Sequence, residues 1–309
     1  MANQSVQIGT EIFRNPVILA AGTCGVLGEI GDAINLSSIG GITTKSITEQ
    51  SAKGNVPYRM VDLPVGMINA IGLANEGIDS FLENHAQKAS KIDAVVIGSI
   101  AGDSISSYVS TAHKMSQCKD IPLIEVNVSC PNTADGLEFG SCPKRLGELL
   151  TEVKSAIGSS GMIVKLSAAP GDIRSHAESA IESGACALTL INTIPALAID
   201  VHTKTTKIKK GGGGLSGEAI HPIAVRVVHE IYRDVCKHAN VPIIGTGGIT
   251  HWEDAAEFIL AGATCVGIGT ALFVNPTIGP NIAKQLKKWV SDQQCNSIQD
   301  LIGSVSFPN

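Results

Sequence analysis

Lys165 closes an apolar run, Met162 to Leu166, with the composition of a strand buried on both faces. An ammonium group there is costly to desolvate unless an anion or acceptor meets it. Such a lysine suits the neutralising of charge that develops on a bound ring; a stem that snorkels outward to solvent is the alternative. Two glycine turns, GTGGI at 245–249 and GIGTA at 267–271, offer a second kind of chemistry. Glycine lets backbone N–H groups approach an anion, and a helix start adds its dipole, so the pair suits a phosphate. Two tight strand-to-helix turns are the other reading. In EVNVSCPN, residues 125–132, Asn127 and Ser129 alternate toward one face and Cys130 begins a loop. A thiol with an ordinary pKa of about 8.5 becomes a usable base in an electropositive setting. On that segment alone a structural cysteine fits equally well. GMINAIGLAN, residues 66–75, adds Asn69 and exposed backbone groups suited to a small polar ligand, or simply a structured loop.

Positioning these groups requires elements. Apolar runs rich in Val, Ile and Leu occur at 16–20, 39–44, 93–98, 122–127, 162–166, 186–191, 241–245 and 264–268, and each reads as a strand. Helical patterns occupy 27–37, 77–90, 103–117, 144–158, 172–183, 218–238, 252–261 and 277–291. This alternation predicts an α/β fold, a TIM-type (β/α)8 barrel, as one domain over 1–309. The opening stretch 5–13 fits a hairpin closing the barrel bottom. A doubly wound open sheet would carry a glycine fingerprint after its first strand, and Ala21-Gly22-Thr23-Cys24-Gly25 does not match it. The predicted strands end at Ala21-Gly22, Lys45-Ser46, Ser99, Asn127, Lys165, Asn192-Thr193, Gly247-Gly248 and Gly269-Thr270. Every ending is polar or glycine, and active sites of such barrels gather at that face.

Composition removes other classes. With 44% hydrophobic and 17% charged residues the chain reads as globular, and a net charge of -5 without a basic stripe argues against nucleic-acid binding. The cluster Lys204, Lys207, Lys209 and Lys210 leads into Gly211 to Gly214 and reads as a solvated loop. No apolar run approaches the ~18 residues of a membrane span, and no signal segment opens the chain. The eight cysteines show no C-x-x-C or zinc-like spacing, so no metal site is expected and a reduced cytoplasm is.

GGITTKSIT, GMINAIGLAN, EVNVSCPN, Lys165, INT at 191–193, GGGLSG at 212–217, GTGGI and GIGTA, in that order, resemble the dihydroorotate dehydrogenase family over nearly the whole chain. The resemblance implies FMN at the barrel mouth. Its contacts would be Ala21, Gly22, Lys45, Ser46, Ser99, Asn127, Lys165, Ile191, Gly217, Gly247, Gly248, Gly269 and Thr270. Dihydroorotate would meet Lys45, Asn69, Ala70, Ile71, Gly72, Leu73, Asn127, Asn192 and Thr193. Cys130 matches the catalytic base of the soluble class 1 enzymes. The loop NTADGLEFGSCP, with Phe139-Gly140 and Pro143, looks like the NAD-linked type B branch. That branch implies a partner subunit carrying FAD and a 2Fe–2S cluster, two catalytic and two electron-transfer chains forming a heterotetramer. The implied role is oxidation of (S)-dihydroorotate in de novo pyrimidine biosynthesis. The alternatives are the fumarate-reducing branch and a dihydropyrimidine dehydrogenase-like flavoenzyme.

Overall fold

A computed structural model describes residues 2–27, 29–128, 139–168 and 172–308. The apolar runs form eight parallel strands: β1 (Val17–Leu19), β2 (Gly41–Thr43), β3 (Val95–Ile100), β4 (Leu123–Asn127), β5 (Gly161–Leu166), β6 (Ala187–Leu190), β7 (Ile243–Thr246) and β8 (Cys265–Ile268). They pair in chain order, and β8 closes on β1 through Ile268 and Leu19. Strands of a closed barrel are covered on both faces. That is why β1, β2, β6 and β8 are buried along their whole length and show no alternation of buried and exposed positions, Thr43 and Thr189 being buried with the rest.

Helices lie outside the barrel, among them Ile105–Ser116, Pro143–Ala156, Ile173–Glu182, His221–Ile231, Trp252–Ala261 and Ile278–Asp292. Each turns an apolar stripe inward, such as Leu146, Leu149, Leu150 and Val153. Among the described residues no helix is long and apolar enough to cross a membrane.

Three details depart from the sequence reading. The helix expected over 27–37 is two short 3-10 turns, Glu29–Asp32 and Leu36–Ser38. Asn35 stops propagation there by accepting the Ser37 N–H on its side chain, 3.0 Å away. The helix expected over 218–238 starts as a 3-10 turn at Glu218–Ile220 and passes through a π turn at Tyr232–Cys236. A four-stranded antiparallel sheet was not anticipated. It orders Ile194–Ala196, Gly213–Ser216, Gly66–Asn69 and Met60–Leu63 side by side. The sheet stands over the strand ends and sets Asn69 opposite Gly214.

The opposite end of the barrel is closed as expected. Val6–Ile8 pairs with Glu11–Phe13, and Ile8 and Phe13 are fully buried. The hairpin turn at Gly9 comes so close to Cys186 and Leu123 that a Cβ there would touch both.

Candidate active site

A cleft of about 420 Å³ opens where the strands end. Its floor rests on a buried polar chain inside the barrel. Glu125 of β4 is 3% exposed, and its carboxylate accepts hydrogen bonds from Thr189 Oγ1 at 2.8 Å and Ser99 Oγ at 3.4 Å. The Ser99 and Ser46 hydroxyls are 2.9 Å apart, and Asn127 Nδ2 donates to Ser46 Oγ at 3.2 Å. Asn192 Nδ2 donates to Asn127 Oδ1 at 3.1 Å, and the Thr193 N–H donates to Asn192 Oδ1 at 2.8 Å. Each link fixes the amide orientation of the next, so Asn127 and Asn192 present preset polar edges to the cleft. Tyr108 anchors the end of β4 from outside, its hydroxyl donating to the Asn127 carbonyl at 2.8 Å.

The two glycine turns face this chain across the cleft. Gly247 has φ +148 and Gly248 φ +66, conformations side chains rarely adopt. A Cβ on Gly248 would lie 2.7 Å from His221 Cβ and 2.8 Å from the Gly217 carbonyl oxygen. The N–H groups of Gly247, Gly248, Gly269 and Thr270 find no backbone acceptor among the described residues. His221 steadies the turn: its Nδ1 lies 2.9 Å from the Gly247 carbonyl oxygen, which can only accept, so Nδ1 carries the proton. Lys165 reaches the cleft from β5, between Asn127 and Thr189 in the sheet, and is 7% exposed. Its ammonium forms no ion pair with a described carboxylate.

Most residues singled out in the sequence meet here. Ala21, Gly22, Lys45, Ser46, Asn127, Lys165, Ile191, Gly217, Gly247, Gly248, Gly269 and Thr270 line the cleft, as do Asn69, Ile71, Leu73, Asn192 and Thr193. Ser99, Ala70 and Gly72 do not. Ser99 is fully buried beneath Ser46. Ala70 and Gly72 both lie in the loop after Gly66–Asn69, whose backbone packs against the 54–59 segment. Ala70 donates its N–H to the Arg59 carbonyl at 2.8 Å, and a Cβ on Gly72 would meet the Asn55 N at 2.7 Å. Cys130 lies outside the described residues.

Arg59 was missed by the sequence reading. It lines the cleft from the loop before Met60, with no motif to mark it. Burial, and then the Arg59 charge, hold the Lys45 ammonium below its ordinary pKa. The described thiols that show a shift move the opposite way. Burial pushes Cys24 and Cys236 up to about 12, Glu29 adding to the effect at Cys24, and full burial raises Cys265 as well. Cys118 and Cys186 are also raised by burial. These five are poor thiolates at neutral pH.

The sequence model of the dihydroorotate dehydrogenase family matches residues 4–290, a span containing all of these cleft residues. The chain belongs to the dihydroorotate dehydrogenase family. Among its relatives is the catalytic subunit of dihydroorotate dehydrogenase B (NAD(+)) of Bacteroides thetaiotaomicron, 40% identical over 99% of both chains. The subunit of the same name from Bacteroides fragilis is 39% identical over 99% of both. That of Petrotoga mobilis is 38% identical over 99% of this chain and 100% of its own. The cleft thus has three parts: a glycine end whose N–H groups lack backbone acceptors among the described residues, a buried lysine, and an amide-lined end.

Proposed function

We propose that the whole chain forms one FMN-binding unit that oxidises (S)-dihydroorotate to orotate in de novo pyrimidine biosynthesis. The observation that carries this reading is the pairing, in one cleft, of glycine N–H groups that lack a backbone acceptor among the described residues with Lys165 and the Asn127–Asn192 edge. The residues fit FMN: a Cβ at Gly247 or Gly248 would crowd the turn that its phosphate needs. FMN, when bound, supplies the hydride acceptor.

Gly217, Gly247, Gly248, Gly269 and Thr270 hold the phosphate. Ala21, Gly22, Lys45, Ser46, Asn127 and Ile191 bracket the remainder, and Ser99 acts through Ser46. Lys165 places its positive charge where negative charge gathers during hydride transfer. Asn69, Asn127, Asn192 and Thr193, with the backbone of Ala70 to Leu73, orient the substrate's carboxylate and amide edges. Preset orientation of this kind supplies much of a rate advantage. Cys130, three positions beyond Asn127, takes the proton from C5 of dihydroorotate while the hydride leaves C6.

The electron acceptor is NAD, reached through a second subunit with FAD and a 2Fe–2S cluster, in an assembly of two chains of each kind in the cytoplasm. The printed names of the relatives, catalytic subunits of an NAD(+) enzyme, support this. So does the exposure of Phe273 and Val274 beside the Gly269-Thr270 turn, apolar surface suited to a partner. Purifying the chain with and without that subunit tests the reading. Dihydroorotate-dependent NAD reduction is expected only with the partner. Rapid fumarate reduction by the isolated chain, and no NAD activity with the partner, would move it to the other branch.

A further inference from the structure

We infer that Thr246 is a further flavin-binding residue, its hydroxyl hydrogen-bonding the ribityl chain between phosphate and ring. Thr246 is the last residue of β7 and lines the cleft. A Cβ on the preceding Gly245 would strike Phe258 at 2.5 Å, so Gly245 faces the outer helices. By strand alternation Thr246 faces the barrel axis. Gly267 of β8 makes room for it: a Cβ there would lie 2.2 Å from Thr246 Oγ1. The hydroxyl is buried and has no hydrogen-bond partner among the described residues. A buried hydroxyl without a partner is unfavourable, and the residue that carries this one lines a cleft rather than a dry core.

Its position selects the ligand atom. On one side Gly247 and Gly248 follow directly in the chain. On the other, the Thr246 carbonyl accepts the N–H of Ile191, one of the residues that bracket the cofactor beyond its phosphate, at 3.0 Å. A cofactor that reaches from the glycine cradle to Ile191 and Lys165 passes its linker over Thr246. Ribityl hydroxyls both donate and accept, and so does threonine.

This inference rests on the FMN reading, and the experiment separates the two. Apoprotein of the wild type, Thr246→Val and Thr246→Ser is titrated with FMN and with riboflavin by fluorescence quenching, and each apoprotein is melted. The Val variant is expected to bind both ligands about three- to tenfold more weakly, the range of one net hydrogen bond. The Ser variant should stay within about twofold of wild type, and the Val apoprotein should melt no lower than wild type. Thr246→Ala replaces the Val variant if that does not fold. Unchanged affinity without the hydroxyl overturns the inference, as does a loss seen with FMN alone, which would place the contact on the phosphate. A wild-type apoprotein that binds neither ligand overturns the cofactor reading itself.

Discussion

Gly248→Ala is the sharpest probe of the phosphate cradle. The substitution adds one carbon at φ +66, where an L side chain costs about 1–2 kcal/mol. That carbon would sit 2.7 Å from His221 Cβ, 2.8 Å from the Gly217 carbonyl oxygen and 3.1 Å from Glu218 Cα. None of these is the end of a flexible side chain, so the turn itself must move, at ~1–3 kcal/mol for an overpacked contact. The two effects together predict a fall in apoprotein melting temperature of about 3–8 °C for a chain of this length. Moving the turn also moves the N–H groups proposed to meet the phosphate, each charge-assisted bond being worth ~1.5–3 kcal/mol. FMN should therefore bind at least about tenfold, and up to several hundredfold, more weakly. Gly158→Ala is the control. Gly158 has φ +57 with nothing among the described residues within 4 Å of where a Cβ would sit, and it lies before β5, at the far end of the barrel. It should lose ~1–2 kcal/mol of stability and keep wild-type FMN affinity. Fluorimetric titration beside thermal melting reads both quantities. A folded Gly248→Ala protein that binds FMN within about twofold of wild type would refute the cradle.

Lys165→Ala should slow flavin reduction by about ten- to hundredfold in anaerobic stopped-flow, the loss of one charge-assisted contact; an unchanged rate rules out its proposed role. Removing a neighbouring positive charge favours the protonated form, so Arg59→Gln should raise the Lys45 pKa part of the way to its ordinary value, burial accounting for the rest. Between the folded and the unfolded Lys45 pKa the folded state binds fewer protons, so wild-type stability rises with pH across that window, and the variant should show a shallower rise. Urea titrations across alkaline pH would read it, and an unaltered slope contradicts the coupling. Cys130→Ala should keep FMN and lose about 10²–10⁴ in flavin reduction, with Cys130→Ser between and gaining at high pH. Native rates in Cys130→Ala together with a defect in Cys142→Ala would transfer the role of base to Cys142.

The barrel was legible because burial on both faces leaves strands such as Val17–Leu19 as unbroken apolar runs. The antiparallel sheet was not. Its strands are short, half-buried and glycine-rich, as in Gly213–Ser216, and they pair across gaps as wide as that from Asn69 to Gly214. No local periodicity marks such pairing. The glycine turns and Lys165 were readable because residue type and strand ending together constrain their use. Ser99 was harder: its position at a strand end is visible in the sequence, whereas its engagement below Ser46 by Glu125 is a tertiary fact. Ala70 and Gly72 lie beyond the strand Gly66–Asn69, in a loop where Gly72 and Leu73 take positive φ, so their turning away from the cleft is a tertiary fact. Arg59 carried no signal, since its place at the cleft depends on the 54–59 segment packing against Gly72.

The central claim is that this cleft passes hydride from dihydroorotate to bound FMN. Anaerobic mixing of the FMN-reconstituted chain with dihydroorotate, dihydrouracil and dihydrothymine in turn, followed by flavin absorbance, tests it most directly. Rapid bleaching with dihydroorotate alone is the predicted result. A flavin that stays oxidised with dihydroorotate and bleaches with either of the other dihydropyrimidines would contradict it.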